Sequence, residues 1–103
     1  MSRLTIVDKG TGHFLVDGDL TFATITKRTV KSLTFSTAHK EITIDLGGVG
    51  NTDSAGLALM IEWIKYCRAK RTQLHFSNMP KQLVSLARLS GFDKDAHFAA
   101  HLE

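Results

Sequence analysis

The chain has 103 residues, 43% of them hydrophobic, with a single Pro and a formal net charge of +3 at pH 7. That length fits one domain around one core, and no polar run reads as a linker, a disordered tail or an internal repeat. The apolar stretches fall short of the roughly 20 residues that a spanning helix needs, and the 13 Lys and Arg are scattered rather than clustered with aromatics, which disfavours nucleic acid as a partner.

The N-terminus does not read as a signal peptide, because Asp8, Lys9 and Gly10 interrupt its short apolar run. One cysteine, Cys67, has no intramolecular disulfide partner, which fits a reducing compartment and a cytoplasmic location.

In chain order, Leu4-Thr5-Ile6-Val7 and His13-Phe14-Leu15-Val16 are β-rich runs separated by Lys9-Gly10-Thr11-Gly12, the pattern of a hairpin. From Thr21 to Phe35, Phe22, Ile25, Thr29 and Leu33 recur at helical spacing beside Val30, although the threonines weaken intrinsic helix propensity. Glu41 to Leu46 is a strand with Ile42, Ile44 and Leu46 on one face. Gly47-Gly48-Val49-Gly50-Asn51-Thr52 is expected to be a loop.

Asp53 to about Lys70 carries the strongest helical pattern, with Leu57, Met60, Ile61, Ile64 and Cys67 or Arg68 on one face. Lys70 and Arg71 suit its negative end. Gln73 to Phe76 is a further strand. Pro80 is expected to start a helix capped by Ser77 or Asn78, with Leu83, Val84, Leu86, Ala87 and Ser90 as its stripe and Gly91 as its stop. A short helix from about Asp93 to His101 closes the order β-β-α-β-α-β-α-α. Strand–helix–strand units call for parallel pairing and the hairpin for antiparallel pairing, so the sheet is expected to be mixed.

The segment from Val49 to Leu59 is a strand-to-helix junction. Asp53 or Ser54 can serve as N-cap, and Gly56 allows close backbone approach. A sharper reading makes Ser54 a partner contact or a phosphoacceptor, where a phosphate adds about −2 charge beside first-turn N–H groups and next to Asp53.

Gly18-Asp19-Leu20, Ile44-Asp45-Leu46, Asp53-Ser54-Ala55-Gly56-Leu57 and Leu86 to Phe92 together resemble the successive landmarks of STAS domains. That family includes bacterial anti-sigma factor antagonists and the small STAS subunit of the Mla phospholipid-transport complex. The resemblance implies a single α/β domain over residues 1–103, with a four-stranded mixed sheet flanked by about four helices.

In the antagonists, the residue matching Ser54 is phosphorylated by a partner serine kinase. In the Mla subunit, the surrounding surface docks on an ABC ATPase. Gly56-Leu57-Ala58-Leu59 is closer to the Mla type, whereas Ser54 in place of the Mla Thr keeps the antagonist reading open. The implied partner-binding set is Thr52, Asp53, Ser54, Ala55, Gly56, Leu57 and Trp63.

No enzyme, cofactor or metal is expected. Ser54 has no motif that places a histidine base near it, and Gly47 to Gly50 lacks the spacing and lysine of a phosphate-binding loop. His97 and His101 stand at i, i+4 without further ligands. Cys67 is expected to be a small core residue. Trp63 and Tyr66 lie beside the main stripe, and Trp63 is taken as an aromatic partner anchor. The basic cluster Lys65, Arg68, Lys70 and Arg71 is expected to be solvated; contact with an acidic partner patch or anionic lipid is the alternative.

Overall fold

The computed structural model describes residues 4–30 and 39–100. Period-two alternation sets the sheet. In β2 (His13–Leu20) the side chains of Phe14, Val16 and Leu20 are buried while His13 and Asp17 are exposed. In β3 (Glu41–Thr52) Ile42, Ile44 and Leu46 point the same way, and in β4 (Gln73–Ser77) Leu74 and Phe76 complete that face.

Strand β1 (Thr5–Gly10) pairs antiparallel with β2, whereas β2–β3 and β3–β4 are parallel, in the order β1-β2-β3-β4. The expected mixed sheet is therefore present. The expected hairpin is closed by Thr11 (φ 53) and Gly12 (φ 81), both in the left-handed region that two-residue hairpin turns require.

Helix α2 (Ser54–Ala69) packs on the apolar face with α3 (Lys81–Leu89). Two single turns, α1 (Lys27–Val30) and α4 (Ala96–Ala99), complete the set, so the count of about four helices is reached only by including them. Phe98 of α4 is fully buried and stacks on Phe76 with ring centroids 6.3 Å apart. The opposite sheet face carries His13, Thr43, Asp45 and His75, all exposed or half-buried.

Four expectations are corrected. Residues Gly47 to Thr52 form no loop: they extend β3, pairing Gly48 with Asp17, Val49 with Gly18 and Thr52 with Leu20. Glycine makes this possible, because a Cβ on Gly48 would lie 2.9 Å from the Val16 carbonyl oxygen. Residues 21–24 form a turn rather than the start of a helix. Thr24 Oγ1 accepts from the Thr21 N–H at 3.1 Å and donates to the Asp19 carbonyl at 2.7 Å, so local threonine bonding replaces helical bonding. Helix appears only at α1, and residues 31–38, Leu33 among them, lie outside the described residues.

Pro80 occupies the N-cap rather than the first helical position of α3, and no side chain caps that helix. Asn78, with φ 53, instead donates from Nδ2 to Asp45 Oδ1 at 3.0 Å. That bond and the Gly47 N–H hold the Asp45 carboxyl below its ordinary pKa. Finally, the buried arc of α2 is centred further round than expected, on Leu59, Met60, Trp63, Ile64 and Cys67; Ile61 is half-buried and Arg68 exposed.

Candidate functional site

Asp53 organises the start of α2. Its backbone is extended (φ −143, ψ −170), and its Oδ1 accepts the Ala55 N–H at 2.9 Å, which makes Asp53 the N-cap. Oδ2 accepts a second bond, from the Phe22 N–H at 3.1 Å, across 31 positions of sequence. The Asp53 N–H in turn donates to the Leu20 carbonyl at 3.2 Å. One residue thus ties together the end of β2, the 21–24 turn and the first turn of α2.

Gly56 sits where that junction is tightest. A Cβ there would lie 2.5 Å from the Leu20 carbonyl oxygen and 2.8 Å from Thr52 Oγ1. Only a residue without a side chain lets the helix approach the β2–β3 ladder so closely. Thr52 itself is 4% exposed, and its hydroxyl has no hydrogen-bond partner among the described residues.

The seven expected contact residues therefore separate into two groups. Ser54 is exposed at the first helical position, and Asp53 and Ala55 are half-buried beside it. Thr52, Gly56, Leu57 and Trp63 are buried, and they shape the surface from beneath rather than presenting themselves on it. Trp63, at 1% exposure, is core and not an exposed aromatic anchor, because the face of α2 that carries it is covered in the fold.

The exposed aromatic at this end is Phe22, 85% accessible on the turn held by Asp53. Helical spacing assigns it to an apolar stripe and so hides it. The usable signal is Thr21 and Thr24 three apart, a pair able to close a threonine-bonded turn.

The other singled-out residues lie elsewhere. Cys67 is buried in the core, and burial pushes its thiol pKa up, away from reactivity. His97 sits 2.7 Å from Asp95 through Nδ1, and His101 lies outside the described residues. Burial raises the Asp95 pKa, but the His97 N–H, its imidazole and Arg68 together outweigh this and leave it below the ordinary value. Among the described residues, no group of three or more His, Cys, Asp or Glu is placed to hold a metal, and no helix is long and apolar enough to cross a membrane. Lys65 is 3.7 Å from Glu62, and Lys70 lies 6.0 Å from the centre of the Tyr66 ring, so the basic end of α2 is partly engaged at its own surface.

Comparison with known proteins bears on this geometry. A family model described as "Mlab, STAS domain" matches residues 8–102. Comparison with curated protein sequences gives no match. Among solved structures, the unphosphorylated anti-sigma factor antagonist SpoIIAA is similar, with a TM-score of 0.62 at 12% identity, covering 84% of this chain and 82% of that one. A structure described as "Crystal Structure Analysis of Mglu" has a TM-score of 0.55 at 16% identity; the match covers 76% of this chain and only 20% of the other.

Proposed function

The chain belongs to the STAS family, whose domains are protein-interaction domains and generally non-catalytic, and from that premise we propose that it is a non-catalytic subunit of a phospholipid-transporting ABC complex. In this reading it binds the ATPase subunit and regulates or stabilises it, acting in the cytoplasm at the inner membrane through that partner. The observation that carries the reading is the exposed Ser54 on a helix start tied to the sheet by Asp53, in a chain matched by the Mla-type family model. A contact residue on a backbone already fixed loses little freedom when a partner arrives.

A second reading, an anti-sigma factor antagonist controlled by phosphorylation of Ser54, is supported by the same exposed hydroxyl and by the likeness to SpoIIAA. Purification of the chain with its partners from the native cell separates the two. An ATPase partner is expected; a serine kinase in its place favours the second reading. Ser54→Glu, which puts a charge on the contact surface, is expected to weaken the partner complex at least about tenfold, a loss of about 1.4 kcal/mol. Unchanged binding by that variant would sink both readings of the site.

A further inference from the structure

We propose that Phe22 is the apolar anchor of the docking surface, seated in an apolar pocket of a protein partner whose rim carries Arg or Lys. The proposal rests on the docking of α2's start described above and deepens it by naming the residue that carries the contact and the chemistry that receives it.

Three large hydrophobics are exposed among the described residues: Val7 at 41%, Phe22 at 85% and Leu89 at 84%. Phe22 alone of these has its own N–H bonded to the N-cap of α2, at 3.1 Å to Asp53 Oδ2. The turn around it is closed on both sides. The Thr24 and Ile25 N–H groups donate to the Thr21 carbonyl at 3.0 Å, and Thr24 Oγ1 donates to the Asp19 carbonyl at 2.7 Å. An aromatic ring is thus presented to solvent from a backbone fixed relative to Ser54. Large aromatics with few rotatable bonds on fixed backbone are the residues that dominate interface energetics.

Charge selects the occupant. The two ionisable residues bonded into this frame, Asp19 and Asp53, are both acidic. A two-fold contact with a second copy through Phe22 would face these carboxylates with their own counterparts. An anionic membrane surface would meet the same repulsion. A partner with cationic side chains around an apolar pocket meets neither cost and gains complementarity.

The test titrates the labelled full chain with the ATPase subunit purified from the same cell. Phe22→Ala is expected to weaken binding about 10- to 100-fold, whereas Leu89→Ala, equally exposed, is expected to stay within about twofold. Phe22→Leu is expected to recover part of the loss, and all three variants are expected to unfold at the temperature of the parent. If Phe22→Ala binds normally while Ser54→Glu does not, Phe22 is not the anchor although docking at α2 stands. If neither variant changes binding, or the parent chain does not bind the ATPase, the docking reading fails and the proposal with it. Phe22-dependent self-association in sedimentation, or Phe22-dependent capture by phosphatidylglycerol vesicles, would assign the residue to a second copy or to a membrane and overturn the proposal.

Discussion

The two ends of α2 are closed in opposite ways. The N-terminal end is held by groups far away in sequence: Asp53 reaches Phe22, its N–H reaches Leu20, and Gly56 lies against the Leu20 carbonyl. The C-terminal end is closed by its own backbone. The Arg71 N–H donates to the Arg68 carbonyl at 3.1 Å, and the Thr72 N–H to the Cys67 carbonyl at 2.8 Å, the two bonds of a Schellman stop. An end built from tertiary contacts transmits any change into the sheet, whereas an end built from local bonds does not. The candidate site sits at the first kind of end, where a surface residue has a fixed position relative to the whole domain.

The most damaging way to break that contrast is Gly56→Ala. Alanine gains about 1 kcal/mol of helix propensity over glycine. The added Cβ, however, would sit 2.5 Å from a backbone oxygen that cannot rotate away. Overpacking of this kind costs roughly 1–3 kcal/mol or more, and with backbone as the obstacle the upper part of the range applies, so the clash wins. The expected result is a net loss of about 2 kcal/mol and a melting temperature lower by about 10 °C, measured by thermal denaturation. An unchanged or raised melting temperature would mean that α2 can lift off β2 freely and that its N-terminal end is not fixed.

Asp53→Ala acts on the same end with a smaller expected effect. It removes the cap of the Ala55 N–H and the acceptor for Phe22, but water can reach the exposed Phe22 amide. The loss expected from denaturant unfolding is therefore about 1–2 kcal/mol, the usual cost of an N-cap. Amide hydrogen exchange should accelerate at both Ala55 and Phe22. Acceleration at Ala55 alone would show that the carboxylate caps the helix without holding the turn.

What is legible in the sequence follows side-chain periodicity. Ile42, Ile44 and Leu46 mark β3, and Asp53 before an apolar-periodic run marks the start of α2. Periodicity is silent where there are no side chains to alternate, which is why Gly47-Gly48-Val49-Gly50 looks like a loop although it continues the ladder. It misleads where local bonding competes with the helix, as at Thr21 and Thr24, and so it hides Phe22. Trp63 departs from expectation for a third reason. The helix is covered by the sheet and by α3 together, so its buried arc is wider than a single stripe and takes in both Leu59 and Trp63. At the site, the N-cap and the exposed serine are readable from residue type and order, whereas the link from Asp53 to Phe22 depends on the fold.

The smallest expected effect sharpens the contrast at the other end. Helices α2 and α3 stop with the same bonds: in α3 the Gly91 N–H donates to Arg88 at 3.1 Å and the Phe92 N–H to Ala87 at 2.8 Å. The left-handed position holds Gly91 (φ 83) in α3 but Arg71 (φ 56) in α2. A side chain in that conformation costs about 1–2 kcal/mol. Glycine avoids this cost, but it gives up roughly 0.5–1 kcal/mol through its freer unfolded chain. Loss of a cation at the negative helix end removes a further few tenths of a kcal/mol at an exposed site. The balance favours Arg71→Gly by about 0.5 kcal/mol, a rise of about 2–4 °C in melting temperature. Arg71→Ala keeps the Cβ and loses the charge, so it is expected to give no rise. Equal stabilisation by both variants would place the effect in charge rather than in backbone conformation. Neither variant should alter binding at Ser54, because the bonds that close this end reach no further than Cys67.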